Sequence, residues 1–547
     1  MERITSRERM LSAVIAAMIV LVLVMQAWSL YEFPQPDSSR WWGDETGQML
    51  ELRTELTDGY ARIPTALGSS VAITNGIVRG NSWMAAVIYG VPALIFSSVA
   101  DLVGIGRTVT FLLSLLLFFA MYRMLVSFNV SRLLALVGML LLISTRSFFF
   151  ASHAARLDVA ASITVVGFAW YFTKRFGKIQ QGTWNPSLQW YFYVGAGLIV
   201  FATLSIHLLT LLPLLTFFAL WKFQAHRRPI RIVVCGAGAL TALSILVGIY
   251  YLSGAPFTIF GSTSGMNQFH TVASNLPILR PFSRSVQVAN ILERVHGIRN
   301  EAPAFLALAF VAIIVVFVSR RTSRSNTSAP SAFINGSAMI VLIAWLFFQS
   351  PALYYYVHVL PIFIVAMTIA ISRRWNLNVS MLAITLLISV ALCFVAVKDS
   401  VHARESAERI ANDNGLALEA SLRAIHSEKN SGTPLVLAQN PAIAILEHDA
   451  RVRLMTAHLI SFPISNAPLA DRLRALKVQY LLLYASHDGS SYSDDYHALR
   501  PFADSLGTVM VKSVGILFDV HRDYFNPQTF TCTPDTLILY KLPFATQ

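Results

Sequence analysis

The apolar run MLSAVIAAMIVLVLVMQAWSL, residues 10–30, decides the fold class of this chain. As an α-helix it measures about 30 Å, which matches the hydrocarbon core of a bilayer. Three arginines precede it, Trp28 and Tyr31 lie at its end, and no A-x-A cleavage site follows. We therefore expect an uncleaved anchor rather than a signal peptide, with a cytoplasmic N-terminus and Pro34 outside.

The composition of the whole chain agrees with a membrane protein. Of 547 residues, 55% are hydrophobic and 13% are charged, and the mean hydropathy of +0.57 is too high for an ordinary soluble enzyme. The net charge of +13 comes from basic clusters between apolar runs, which is typical of membrane topology and not of nucleic-acid binding. Cys235, Cys393 and Cys532 match no metal or redox spacing, so we predict neither a disulfide framework nor a zinc site.

Further apolar runs are long enough to cross the membrane. They lie at about 106–126, 131–150, 158–173, 230–251, 303–319, 334–350, 354–372 and 379–397. The run 190–221 would form a helix of about 48 Å, too long for one crossing, and it has basic residues at both ends, so we interpret it as a hairpin of two spans. The sequence thus predicts a polytopic α-helical protein of about eleven transmembrane helices, with its C-terminus outside.

One apolar stretch is not counted as a span. Residues 83–101 contain Gly90 and Pro92, and a crossing there would move some basic clusters to the outside. We interpret this stretch as an interfacial or re-entrant helix on the outer face.

Three segments are then extracytoplasmic: 31–105 with juxtamembrane helices, 252–302, and the tail 398–547, which follows a transmembrane module of residues 1–397. The tail has a helical pattern at 468–477, and its strand candidates are residues 434–438, 452–457, 478–485 and 536–542. Strands that alternate with helices predict a small C-terminal extracytoplasmic α/β domain with a partly parallel sheet. It carries no glycine-rich nucleotide-binding motif.

An acidic pair lies just beyond the first span, in RWWGDETGQMLELRTEL, residues 40–56. Asp44 and Glu45 follow two tryptophans at the expected membrane surface, where carboxylates suit a reaction between a lipid-borne and a water-borne group. Alternatively, Asp44 caps the amphipathic helix of residues 46–56 and Glu45 interacts with its dipole. The local sequence leaves both interpretations open.

A second group of charges lies in RSFFFASHAARLDVAASI, residues 146–163, at the outer end of one span and the start of the next. Arg146 is expected within the outer leaflet, where it either faces a wet cavity or an anion, or extends to the headgroups. Arg156 and Asp158 are two residues apart and share no helix face, but a turn would direct both into one cavity. The alternative for Asp158 is a simple N-cap.

Two later segments add cations and a histidine. The loop 252–302 contains His270 and Arg284, among further arginines whose planar guanidinium groups bind phosphate well, although such residues are often merely solvated. His358 follows three tyrosines at the outer mouth of a span. The tyrosines are typical of an aromatic belt, and His358 would need a hydrogen bond to a neighbouring helix.

Together these features resemble the glycosyltransferase C (GT-C) superfamily, in particular its protein O-mannosyltransferase and aminoarabinose-transferase branch. The resemblance covers about residues 10–400 and is architectural more than motif-exact. It implies a polyprenyl-phosphate sugar donor and a catalytic acid in the first external loop, which Asp44 matches, with Asp158 as the second acid. Relatives usually carry a His-Pro or Lys-Pro pair before the non-crossing helix. Here the segment reads VRGNSWMAAVIYG, with Arg79 as the nearest cation.

The sequence therefore predicts a membrane glycosyltransferase that moves a sugar from a polyprenyl-phosphate donor to an acceptor hydroxyl outside the cytoplasm, with inversion. Asp44 would be the base, and Glu45 and Asp158 would orient or bind the acceptor. The candidate substrate-binding residues are Arg79, Arg146, Arg156, His270, Arg284 and His358. We expect no metal or cofactor and no nucleic acid. The expected partners are a lipid-linked sugar, an acceptor glycan, lipid or protein, and the lipids of a bacterial inner or plasma membrane.

Three other functions are considered. A lipid-linked sugar transporter or flippase is disfavoured because the chain shows no repeated halves. An O-antigen ligase-like enzyme would be expected to carry its key residues in one large late external loop, whereas here the acids come first. A scaffold whose tail binds a partner is the third alternative.

Overall fold

Long apolar helices form the first part of the chain. The computed structural model describes residues 6–32, 62–64, 70–72, 82–95, 99–180, 357–358, 360–372, 379–428, 434–438, 453–456, 468–475, 477–484, 494–517 and 533–543. Its first helices are α1 (Ser6–Glu32), α2 (Ser82–Ile95), α3 (Val99–Ser127), α4 (Arg132–Ile143), α5 (Arg146–His153), α6 (Asp158–Gln180), α7 (Leu360–Ser372) and α8 (Val379–Ser427). The predicted spans 190–221, 230–251, 303–319 and 334–350 lie outside the described residues.

Within the described part of the chain, three helices contain stretches that are long and apolar enough to cross a membrane. They are Ser6–Leu30 in α1, Val103–Ser127 in α3 and Ser380–Glu405 in α8, and they match three of the predicted spans. Leu21, Leu116 and Leu387 are exposed on these helices. Exposed leucines on such helices are typical of surfaces that face lipid. The chain is therefore an integral membrane protein.

The predicted span 131–150 is not one straight helix but a bent pair. The axes of α4 and α5 differ by 69°. At the break, the Ser144 and Thr145 hydroxyls each donate to a carbonyl in the last turn of α4 at 2.8 Å, and Gln26 Nε2 of α1 donates to Ile143 O at 3.0 Å. Carbonyls freed by a bend inside a membrane must find donors within the protein, and these three donors stabilise the bend.

Helix α2 falls within the stretch that we interpret as non-crossing. It has 14 residues with Pro92 inside, so it is about 21 Å long and shorter than the hydrocarbon core. The side chains of Val87, Val91 and Leu94 are exposed along it. The interpretation of this stretch as non-crossing stays a prediction, and α3 already begins at Val99.

Helix α8 joins two segments that the sequence analysis separates. It runs for 49 residues without a break, so it combines the predicted span 379–397 with the charged helical pattern at the start of the tail. The predicted boundary at residues 397 and 398 therefore lies inside a helix. By clustering of contacts, the chain divides into two compact units: Met1–Trp28, Thr108–Leu252 and Thr263–Val401 form the first, and Ser29–Arg107, Ser253–Ser262 and His402–Gln547 form the second.

In the second unit, a mixed sheet follows α8. The strands are β1 (Arg62–Pro64), β2 (Ser70–Ala72), β3 (Leu435–Ala438), β4 (Arg453–Thr456), β5 (Tyr480–Tyr484), β6 (Thr508–Leu517) and β7 (Thr533–Lys541), with the helices α9 (Leu469–Ala475) and α10 (Asp494–Leu506). β1 and β2 form an antiparallel pair, and the other strands form one sheet in the order β4-β3-β5-β7-β6. β3 pairs in parallel with β4 and β5, while β7 is antiparallel to β5 and β6. The four strand candidates correspond to β3, β4, β5 and β7, and the sequence analysis missed β1, β2 and β6.

Successive strand residues point to opposite sides of this sheet, and helices cover both of its faces. On one face, Ile425 of α8 packs with Val436 and Leu482. On the other face, Leu473 of α9 and Leu499 of α10 belong to a second apolar core. The described part of the segment thus contains helices and a mixed sheet. Its position outside the membrane stays a prediction.

Within the first unit, α4 and α7 approach closely at a glycine. A Cβ atom on Gly138 would lie 2.8 Å from Thr368 Oγ1 of α7, and Thr368 Oγ1 donates to Ile364 O at 2.7 Å. Small residues at such crossings let membrane helices pack backbone to backbone. By contrast, a Cβ atom on Gly167 of α6 would meet nothing within 4 Å.

Replacing Gly138 by leucine should therefore destabilise the first unit by about 1–3 kcal/mol through overpacking. The matched variant Gly167→Leu should leave stability nearly unchanged. Thermal unfolding of both purified variants in the same detergent measures the difference. Equal midpoints for the two variants would contradict the close packing of α4 on α7.

In the second unit, a polar cluster joins α10 to β7. Tyr540 Oη donates to Asp504 Oδ1 at 2.6 Å, and Arg500 Nε donates to Asp504 Oδ2 at 2.8 Å. The hydrogen bond from Tyr540, together with Arg500, lowers the pKa of Asp504. Burial and the bond to Asp504 raise the pKa of Tyr540 to about 12.

The variant Tyr540→Phe should lower the local stability of α10 and β7 at pH 7 by about 1 kcal/mol or less, since one hydrogen bond to a half-exposed carboxylate is lost. An aspartate whose pKa is lowered in the folded state stabilises the fold at pH values above its unfolded-state pKa, about 3.9. This contribution disappears as the pH falls through the folded-state pKa. The difference between variant and wild type should therefore shrink below about pH 4. Hydrogen exchange of α10 and β7, corrected for intrinsic rates, measures it. A difference that is independent of pH would refute the role of Asp504.

Candidate functional site

A tight turn separates α5 from α6 and positions two charged side chains. Ala154, the residue after the end of α5, has an extended backbone conformation, and Arg156 N donates to Ala154 O at 2.7 Å. Helix α6 begins at Asp158. The turn lets the side chains of Arg156 and Asp158 point to the same place. Within one helix, residues that are two positions apart would lie on different faces.

Arg156, Asp158 and His358 form one buried group, the Asp158 cluster. Arg156 Nε donates to Asp158 Oδ2 at 2.8 Å, and His358 Nε2 lies 2.9 Å from Asp158 Oδ1. The side chains of Arg156 and Asp158 are 6% and 2% exposed, and that of His358 is 0% exposed. Three residues that the sequence analysis singled out separately are thus in contact.

The short turn that carries His358 is fixed by a serine that the sequence analysis did not single out. Ser162 Oγ of α6 donates to Val357 O at 2.8 Å and also lies 3.0 Å from Asp158 O. Ser162 is located one turn after Asp158, so it connects the start of α6 to the segment before α7. Its signal in the sequence is weak, because a serine in an apolar helix usually bonds within that helix.

The electrostatics of the cluster favour an ionised Asp158. A carboxylate only accepts, so His358 Nε2 carries a hydrogen and each carboxylate oxygen has a donor. The N-terminus of α6 adds a favourable dipole at Asp158. A buried charge is tolerated when it is paired and hydrogen-bonded in this way. The Arg156 guanidinium carries five N–H donors, so it can bind Asp158 and also contact an anion.

Arg146, also a predicted substrate-binding residue, pairs elsewhere. Its Nε and Nη2 atoms each lie 3.3 Å from an oxygen of Asp399 on α8. The two side chains are 18% and 11% exposed. This bidentate ion pair favours a structural role for Arg146, because it joins the start of α5 to the middle of α8. The sequence analysis missed Asp399, which follows the apolar run 379–397 and shows no local sign of a partner 253 residues away.

Two further buried polar residues were also missed. His153 closes α5 and contacts α1 through Gln26 O. Arg107 is a buried cation inside the span Val103–Ser127, where an ionisable residue is by default a functional candidate.

The remaining predicted site residues, Asp44, Glu45, Arg79, His270 and Arg284, lie outside the described residues. Among the described residues, no group of three His, Cys, Asp or Glu side chains is arranged to hold a metal ion.

The architecture was compared with known proteins. No protein-family profile matches the sequence, and no curated protein matches it in a sequence comparison. The fold, however, resembles that of ArnT from Cupriavidus metallidurans bound to undecaprenyl phosphate, with a TM-score of 0.56 and 13% identity over 98% of this chain and 99% of that chain. The apo form of the same protein gives a TM-score of 0.56 and 13% identity over 96% and 98% of the two chains.

A second similar structure is the archaeal oligosaccharyltransferase AglB from Archaeoglobus fulgidus in complex with an inhibitory peptide and a dolichol-phosphate. Its TM-score is 0.50 and its identity 13%, over 90% of this chain and 72% of that chain. ArnT and AglB are both GT-C glycosyltransferases. The fold that the sequence resemblance implied is therefore confirmed.

The Arg146–Asp399 pair gives a stability prediction. Asp399→Asn should destabilise the first unit by about 1–3 kcal/mol, between the values for exposed and fully buried pairs, because Arg146 loses its acidic partner. The double variant Arg146→Asp/Asp399→Arg should recover part of the loss. Thermal unfolding in detergent measures both.

The exposed pair Glu419–Arg423 on α8 is the matched control. Its variant Glu419→Gln should change stability by less than about 0.5 kcal/mol. If Asp399→Asn lowers stability as little as this control variant does, the Arg146–Asp399 pair has no structural role.

Proposed function

We propose that this chain is a membrane glycosyltransferase that transfers a sugar from a polyprenyl-phosphate donor to an acceptor hydroxyl on the extracytoplasmic face, with inversion. The observation that carries the proposal is the buried Asp158 cluster, in which a carboxylate holds an arginine and a histidine inside a GT-C fold. Such a cluster suits a donor whose leaving group is a phosphate.

The leaving group explains why positive donors are needed. When the bond between the anomeric carbon and the phosphate oxygen breaks, the oxygen keeps the electron pair and the phosphate gains negative charge. Arg156 and His358 are proposed to stabilise that charge, because preorganised cationic donors act most strongly in a site without water. Asp158 holds both donors in place through its two oxygens.

The attacking group needs a base on the opposite side of the sugar. Asp44 is proposed to accept the acceptor's hydroxyl proton while the acceptor oxygen bonds to the anomeric carbon, and Glu45 to orient the acceptor. Attack opposite the departing phosphate gives inversion. Arg79, His270 and Arg284 remain candidates for further phosphate contacts, whereas Arg146 is assigned to its pairing with Asp399.

The similar structures support the donor class. ArnT was observed with undecaprenyl phosphate and AglB with a dolichol-phosphate and an inhibitory peptide, so both bind a polyprenyl phosphate. For this chain we propose a lipid-linked sugar donor and a glycan, lipid or protein acceptor. We also propose that the N-terminus is cytoplasmic and that the first external loop and the C-terminal α/β segment are extracytoplasmic.

Transfer is tested with the purified full chain in lipid, a panel of labelled polyprenyl-phosphate sugars and candidate acceptors. The wild type should transfer label with inverted anomeric configuration. Asp44→Asn should slow transfer by about 10²- to 10⁴-fold, the usual contribution of a general base, while thermal stability and donor binding persist. Asp471→Asn, which changes an exposed acid on α9, is the matched control and should leave the rate unchanged.

Two results would overturn the proposal. Full activity of Asp44→Asn would show that Asp44 is not the base. Movement of the labelled lipid across the membrane by the wild type, without transfer or donor hydrolysis anywhere in the panel, would identify a transporter.

A further inference from the structure

The last residue of α5, His153, is buried between two backbone carbonyls. It is 5% exposed. Its Nε2 atom lies 2.9 Å from Gln26 O of α1, and its Nδ1 atom lies 2.6 Å from Phe149 O one turn earlier in α5. Each ring nitrogen therefore faces an oxygen that can only accept.

We infer that His153 is a positioning residue for the proposed reaction. It ties the end of α5 to α1, and the turn with Arg156 follows three residues later. Gln26 holds the other side of the bend as well, because its side chain donates to Ile143 O at the end of α4. One residue of α1 thus fixes both ends of the segment that leads to the Asp158 cluster.

This inference rests on the proposed function for its catalytic consequence. If Arg156 stabilises charge that develops on the leaving phosphate, a shift of α5 should weaken transition-state binding more than ground-state binding of the donor. Loss of His153 should then lower kcat about 10- to 100-fold and change the donor KM by less than about threefold.

The positioning role is tested by comparing His153→Phe, which keeps an aromatic ring and removes both hydrogen bonds, with Ser114→Ala. Ser114 is equally buried but bonds within α3, to Phe111 O. Hydrogen exchange in residues 154–158 should rise in His153→Phe and not in Ser114→Ala, and kcat should fall as stated. Unchanged exchange would overturn the positioning role. Increased exchange in His153→Phe together with an inactive wild type would support the positioning role of His153. The same result would show that the proposed function is wrong.

Discussion

The account depends on the cost of burying one carboxylate. Asp158 is 2% exposed in a unit whose helices face lipid, and an unpaired charge there would be strongly destabilising. Its two oxygens are instead bound by Arg156 and His358. To bring these partners together, the chain must turn sharply between α5 and α6 and must hold the segment before α7 against α6. The bend at Ser144 and Thr145, the serine at 162 and the contact of His153 with α1 each contribute to that arrangement.

The same pairing gives the site its chemical character. An arginine has five N–H donors in a planar group, so Arg156 can bind Asp158 and still contact a phosphate. In the proposed reaction, Asp158 therefore holds Arg156 and His358 in place, and another acid accepts the proton. This role of Asp158 differs from the sequence prediction, in which Asp158 orients or binds the acceptor, whereas Asp44 remains the proposed base. Arg146 is held in place by an acidic partner of its own, Asp399. We therefore assign Arg146 a structural role.

How much the sequence predicts depends on how local each cause is. The long apolar runs, the turn at Arg156 and Asp158, and four of the strands follow from composition and spacing. His358 was predicted to need a partner, but the partner lies 200 residues away. The bend after α4 depends on Gln26, 117 residues from Ile143, and no local pattern identifies that donor. β6 was missed because it is an edge strand with an exposed apolar residue, Val509, and little alternation.

The most direct measurement is a cryo-electron microscopy structure of the full chain in lipid nanodiscs with undecaprenyl phosphate bound. The account predicts that the phosphate lies within hydrogen-bonding distance, about 3 Å, of Arg156 or His358 while Asp158 keeps both partners. A phosphate bound in a different cavity, with the Asp158 cluster unchanged and closed to the lipid, would contradict it.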